Sequence, residues 1–371
     1  MSLWFDRGSG RSRAHRGAPK RLGAGPGARR GRDLSFSYGL SSPWIPRVTT
    51  LPHVSIIGAG LMGHGIAADF LDAGHSVTLA DISAKMIAEA PGQIGAILAE
   101  NRNRSFEEVE IRLQRLTTFV LGSDERLAEA VRGAQFVIEA IAEITELKQS
   151  LFEKLDAICA PEVILASNTS TIMPTVLAAR ARHHPERIAI AHYINPPHLV
   201  PLVEVVPGEK TAPAVIERLM ALLRAAGKQP IALQRETPGF VVNRLQIALL
   251  REACHLVETG VTTPAEVDVA IRTSMGRRWA AAGVFEVFDI GGWDVLYNVT
   301  SNLLPVISSS TAMPASLQAR KDHGELGIKS GTGFYRWDDE MIRLSRARIA
   351  ALLAYAGTVE HPGERPPPTD Q

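Results

Sequence analysis

Cysteine is scarce in this sequence: Cys159 and Cys254 are the only two in 371 residues. They exclude a disulfide framework and a clustered thiolate metal site, and they fit a reducing, cytoplasmic compartment. Each reads as a small apolar side chain suited to a buried position. Long hydrophobic runs are missing too. None approaches the roughly 20 residues of a membrane-spanning helix, so no membrane segment is expected. Charge of one sign is not in excess, since 40 Lys and Arg face 39 Asp and Glu for a net charge of +1. That balance gives the whole chain no bias towards nucleic acid. No internal repeat is visible. The remaining composition, 45% hydrophobic and 21% charged, is that of a globular protein, at a length that suggests two domains.

The first 50 residues depart from this balance, with ten Arg or Lys against two Asp. Gly, Pro and Ser are frequent there, and neither helical nor strand periodicity is visible. Such a segment buries too little apolar surface to offset its ordering entropy. Residues 1–52 are therefore expected to be a disordered basic extension. A transit peptide is the rival reading, but the Gly and Pro content opposes the amphipathic helix it needs; a misassigned start is another. No aromatic stacking platform is interleaved with these arginines, so nucleic-acid binding is not expected. The tail 338–371, ending in a run of prolines, is expected to be loosely ordered.

What stands out is Gly58-Ala59-Gly60-Leu61-Met62-Gly63, directly behind the apolar run Val54-Ser55-Ile56-Ile57. A second apolar run, Ser76–Ala80, ends in Asp81, 18 positions past Gly63 (81 − 63). Strand, glycine turn, helix, strand and acid is the order a dinucleotide site requires. The first glycine makes the tight turn, the second admits the pyrophosphate, and the third lets helix and strand pack closely. The pyrophosphate rests on free N–H groups at the helix N-terminus. A carboxylate at Asp81 would accept from ribose hydroxyls and repel a 2′-phosphate, so NAD is the expected cofactor.

Beyond residue 52, short apolar runs alternate with amphipathic stretches. Strands are predicted at 54–57, 76–80, 136–141, 163–167, 188–193, 202–206 and 230–234. The alternation implies an α/β fold, a Rossmann-type doubly wound and mostly parallel sheet over 53–237. An insertion at 83–118 reads as two helices, an arm beside the cofactor site. After Thr237-Pro238-Gly239 no strand is convincing, and 238–337 is predicted to be a smaller all-α domain for substrate binding and dimerisation.

In open α/β sheets, ligands lie outside the carboxyl ends of the strands. Ser167-Asn168-Thr169-Ser170 follows one predicted strand, and His192 ends another before Asn195-Pro196-Pro197. Glu204 lies inside the apolar strand Leu202–Val206, where an unpaired carboxylate is costly. Pairing Glu204 with His192 resolves that cost and supplies a base for an alcohol proton. Asn243, early in the helix after Pro238, is placed to reach into an interdomain cleft. No metal site is expected.

With these residues in order, the chain resembles the 3-hydroxyacyl-CoA dehydrogenase family over about 53–337. The matching segments are Gly58–Gly63, Val137–Glu143, Ser167–Ser170, His192–Pro196, Leu202–Glu204, Thr237–Arg244 and Gly327–Tyr335. The resemblance implies His192 as catalytic base, Glu204 as its partner, and Ser170 and Asn243 on the substrate 3-oxygen. It places Glu139, Asn195 and Lys329 on the NAD side. It implies a homodimer oxidising an L-3-hydroxyacyl thioester, here a short-chain, 3-hydroxybutyryl-CoA-like one.

Two departures bear on the substrate. The arm stretch Gln93–Glu100 lacks the serine and lysines with which the family meets CoA, leaving Arg102 and Arg104 as the candidates for its phosphates. The segments Asn195–Glu204, Gly239–Gln246 and Gly276-Arg277-Arg278 are similar to the lambda-crystallin and L-gulonate 3-dehydrogenase branch, whose substrates, like those of the related carnitine dehydrogenases, are small free 3-hydroxy acids. On that alternative, Arg277 and Arg278 are candidates for a substrate carboxylate. A non-catalytic crystallin-like protein is a third reading.

Overall fold

The computed structural model describes residues 51–356. The basic extension expected at 1–52 therefore lies almost wholly outside the described residues, as does the tail past 356.

The chain opens with β1 (Val54–Ile57), α1 (Leu61–Asp72) and β2 (Val77–Asp81). The helices α2 (Ala84–Asn101) and α3 (Phe106–Leu113) form the arm, followed by β3 (Leu116–Val120) and α4 (Asp124–Ala130). Next come β4 (Phe136–Glu139), α5 (Thr145–Ile158), β5 (Ile164–Ser167), α6 (Pro174–Leu177) and β6 (Ile188–Tyr193). The sheet closes with β7 (Leu202–Pro207), α7 (Pro213–Ala225) and β8 (Gln229–Ala232). Its eight strands run in the order β3-β2-β1-β4-β5-β6-β7-β8. Every pairing is parallel except β6 with β7.

The strands are apolar on both faces because helices cover both. Val54, Ile56 and Ile138 join one core with Phe70, Leu79 and Leu219. Their neighbours Ile57 and Val137 point the other way, into a second core with Phe152 and Leu155. This is the period-two alternation of a strand between two layers.

The insertion at 83–118 holds the two expected helices but ends in a strand that the sequence reading missed. The segment Leu116–Val120 is a half-exposed edge strand beside β2, so it lacks the continuous apolar signature of its neighbours.

The remainder is helical: α8 (Val242–Glu258), α9 (Pro264–Ala270), α10 (Gly276–Ala281), α11 (Val284–Gly291), α12 (Trp293–Leu303), α13 (Ala315–Asp322) and α14 (Asp339–Ala356). A π-helical stretch, Ile271–Met275, joins α9 to α10. The last helix corrects the expectation of a loose tail from 338, since 339–356 forms five turns of helix. Among the described residues no helix is long and apolar enough to cross a membrane.

Candidate active site

The glycine turn is built as its spacing requires. Gly58 has φ +111°, and a Cβ there would lie 2.4 Å from the Ala140 carbonyl oxygen. A Cβ on Gly63 would lie 1.7 Å from the Gly58 carbonyl oxygen, so any side chain would force α1 off β1. Gly60 differs: nothing lies within 4 Å of a Cβ placed there. It caps α1 without a side-chain hydrogen bond, which leaves the N-terminal N–H groups facing open space. That is the geometry of a phosphate cradle. Asp81 ends β2 and turns back to it, accepting from Ala59 N at 2.8 Å and Ser83 N at 2.7 Å. Each carboxylate oxygen keeps a lone pair for a ribose hydroxyl. The residues present fit a dinucleotide.

Next to this turn, at the carboxyl ends of the strands, is a cavity of about 430 Å³. Met62 of the fingerprint, Ser170, His192, Asn195 and Asn243 all line it. The antiparallel pairing of β6 and β7 sets His192 directly opposite Glu204. Their side chains meet, His192 Nδ1 to Glu204 Oε2 at 2.8 Å. Glu204 is fully buried. Its other oxygen accepts from Val241 N at 2.8 Å and Val242 N at 3.0 Å, the first N–H groups of α8. Burial pushes the Glu204 carboxyl up, but the bond from His192 and the two N–H groups outweigh it and hold it below the ordinary range. An ionised carboxylate only accepts, so the proton it receives sits on Nδ1 and Nε2 is left as the basic nitrogen. Phe240, fully buried, packs against the imidazole with ring centroids 5.4 Å apart. It takes φ +51° to enter α8 from the Gly239 turn.

Asn243 reaches across the cleft and donates to the Ser170 carbonyl oxygen at 3.3 Å. Asn168 accepts from Tyr193 N at 2.9 Å, tying the turn after β5 to the end of β6.

Six candidates sit differently from their expected places. Glu139 ends β4 fully buried, with its oxygens taken by Lys148 Nζ at 2.6 Å, the Ile141 N–H at 2.6 Å and the Ser167 hydroxyl. It does not line the cavity. The acid that does is Glu143, which sequence reasoning missed together with Lys148. Glu143 accepts from Thr171 Oγ1 at 2.9 Å, Ser170 N at 3.2 Å and the Thr169 hydroxyl, with Lys148 Nζ at 3.2 Å. Burial raises its carboxyl, but these hydroxyls and the ammonium bring it below the ordinary value. The available signal was position, because Glu143 falls in the loop past the carboxyl end of β4, where ligands lie.

Arg102 and Arg104 are not free to meet phosphates. Arg102 Nη2 lies 2.6 Å from Asp69 Oδ1, and Arg104 Nε lies 2.8 Å from Asp72 Oδ1. They fasten the arm to α1. Lys329 stands exposed in a turn after α13 and does not line the cavity. Arg277 and Arg278, on α10, are exposed and do not line it either.

A dinucleotide cradle beside a histidine–carboxylate pair defines a nicotinamide-dependent oxidoreductase of the Rossmann class. The family description "3-hydroxyacyl-CoA dehydrogenase, NAD binding domain" matches residues 53–237, and its C-terminal domain matches 239–337. The chain belongs to the 3-hydroxyacyl-CoA dehydrogenase family. It is 32% identical over 301 residues to a 5-formyl-3-hydroxy-2-methylpyridine 4-carboxylate 5-dehydrogenase of Mesorhizobium japonicum, covering 81% of this chain and 96% of that one. The crystal structure of an NAD+-dependent enzyme of that activity matches with a TM-score of 0.75 at 30% identity, covering 84% of this chain and 100% of the other. Similarity also extends to a lambda-crystallin homolog of Bos taurus, 37% over 243 residues, covering 66% of this chain and 75% of the relative. A 3-hydroxyadipyl-CoA dehydrogenase of Escherichia coli is 37% identical over 303 residues, covering 81% of this chain and 61% of that longer protein. The chain is thus an NAD-dependent oxidoreductase of this family, with motifs shared by its crystallin-like branch.

Proposed function

We propose that the protein oxidises the 3-hydroxyl of a small, free 3-hydroxy acid to the ketone. NAD, when bound, supplies the hydride acceptor. The observation that carries the proposal is the His192–Glu204 pair, with Nδ1 on the carboxylate and Nε2 left for the cavity. His192 takes the hydroxyl proton at Nε2, and Glu204 holds the ring and stabilises the imidazolium formed. The Ser170 hydroxyl and the second N–H of the Asn243 amide, the first being given to the Ser170 carbonyl, donate to the 3-oxygen.

The arm supports the free-acid reading. Arg102 and Arg104, its candidates for the phosphates of CoA, are bound to Asp69 and Asp72 and so are not available to them. Helix α3 carries Glu107, Glu108 and Glu110, which repel them. The relative that acts on a pyridine carboxylate spans nearly its whole length in this comparison and supports a compact substrate.

The short-chain L-3-hydroxyacyl-CoA reading stands second, favoured by the similarity to 3-hydroxyadipyl-CoA dehydrogenase. Following NADH absorbance with free 3-hydroxy acids, L-gulonate and L-carnitine among them, and in parallel with acetoacetyl-CoA plus NADH, separates the two. Turnover of a free acid with little on the thioester is the expected result. Rapid turnover of the thioester alone overturns the proposal in favour of the second reading, and NAD binding without turnover of either revives a crystallin-like role.

We also infer a homodimer in a reducing, cytoplasmic setting. The apolar faces left exposed on the helical domain support the dimer. The two free thiols support the setting: Cys254 is buried, and burial pushes Cys159 up to about 11.

A further inference from the structure

Gln246 is a polar group in the cavity that the reaction at carbon 3 does not use. It lies three residues after Asn243 on α8, so the two share one helix face. Both line the cavity. Among the described residues, nothing hydrogen-bonds the Gln246 amide.

Its position along the helix matters. α8 begins at Glu204, where the Val241 and Val242 N–H groups bind the carboxylate. Residues further along therefore stand further from His192. Three residues of helix put Gln246 about 4.5 Å beyond Asn243 along the axis. In a 3-hydroxy acid, carbon 1 lies two bonds of about 1.5 Å each from carbon 3, and its oxygens lie one bond further. With the 3-oxygen on His192, Ser170 and Asn243, the carbon-1 oxygens fall at that separation.

Lys148, the cation in the cavity wall, is already committed to Glu139 and Glu143 at 2.6 and 3.2 Å. Asn195 also lines the cavity but falls on the NAD side by the family resemblance, and Asn168 is tied to Tyr193 N; beside Asn243, the Gln246 amide is an uncommitted donor with two N–H groups and no charge. We propose that Gln246 reads the substrate carboxylate and is the specificity-determining residue for a free acid over its thioester or ester. This rests on the free-acid reading above.

The test uses the full chain with NAD and compares kcat/KM for the free acid turned over fastest with that for its methyl ester. A hydrogen bond to a charged group is worth about 1.5–3 kcal/mol. Gln246→Leu should therefore lower kcat/KM for the acid by about 10- to 100-fold. The ester should change by less than about threefold, as for a neutral surface replacement. Gln246→Glu keeps the size, repels a carboxylate, and should lose the acid selectively as well. NADH fluorescence titration should give wild-type cofactor affinity for both variants. Equal changes on acid and ester, or none on either, overturn the assignment while leaving the free-acid reading intact. A wild-type enzyme inactive on every free acid but active on a thioester overturns both.

Discussion

His192 and Glu204 illustrate how one anomalous residue exposes a site. A glutamate in the middle of an apolar strand is costly unless something binds both its oxygens, and here a histidine and a helix N-terminus do so. His192→Gln should lower turnover by about 10²- to 10⁴-fold while NAD still binds, measured by steady-state kinetics and NADH fluorescence. Near-normal turnover would remove His192 as the base. Glu204→Gln acts differently, because its amide N–H₂ would face Nδ1 and favour the proton on Nε2, the wrong nitrogen for a base. Its kcat should fall by about 10²-fold or more. The pH sign follows from the depressed Glu204 carboxyl. Its contribution to stability is present above the ordinary 4.5 and disappears as pH falls through the lower folded value. The part of the stability difference between wild type and Glu204→Gln that this carboxyl carries should thus shrink in the acid range, by chemical denaturation. Sequence made this pair legible because both residues sit on regular strands whose register follows from pattern. Glu139 and Glu143 were not separable that way. Which one turns inward depends on where Lys148, one turn into α5, places its ammonium, and that is a tertiary fact.

The arm illustrates the same limit for an element. Two helices were legible in the sequence, yet their role was not, because Arg102, Arg104 and Arg112 find their partners on α1. Asp72 receives Arg104 Nε at 2.8 Å and Arg112 Nε at 3.0 Å, and Arg102 crosses to the fully buried Asp69. Asp69 also holds Lys228 at 2.6 Å, so one carboxylate joins α1, the arm and the start of β8. If the arginines are clamps and not phosphate ligands, losing them changes stability and leaves substrate affinity alone. Arg102→Met combined with Arg104→Met should cost about 1–3 kcal/mol, since the arginines are one-third exposed while Asp69 keeps Lys228. That is a fall in Tm of a few degrees, about 1–2 °C per kcal/mol for a chain of this size. KM for the substrate should not move. A raised KM with an unchanged Tm would return these residues to the substrate. The edge strand β3 escaped for a related reason: its alternating, half-exposed residues resemble a loop until β2 is beside them. Helix α14 was missed because its apolar residues spread around most of the helix, although its start was legible: Asp338 accepts from Met341 N at 2.7 Å, with Asp339 and Glu340 in the first turn.

At the scale of the molecule, the two halves are built to different standards. The sheet and the helices packed on it carry nearly all the buried apolar residues, while in 241–356 only Cys254 and Val287 are buried among the apolar residues described. Most of the exposed large apolar side chains lie in that same half, Phe285 at 77%, Tyr297 at 74% and Leu304 at 63% among them. Helices that expose this much apolar surface have not completed a core, and isolated helices of such length are marginal in water. A second copy meeting the same faces through a two-fold axis would complete it, because a self-complementary patch needs no other partner. Light scattering on the purified chain should then give about twice the 40.1 kDa monomer mass. Its Tm should rise with protein concentration, as for any fold coupled to association. Phe285→Glu sharpens the test. On a monomer the change at so exposed a site should stay within about 0.5 kcal/mol. Across a closed interface it buries an unpaired charge, and the dimer should dissociate with loss of helical signal. A chain that is stably monomeric, with a concentration-independent Tm and an indifferent Phe285→Glu, would mean that these helices hold their form without the partner their surface calls for.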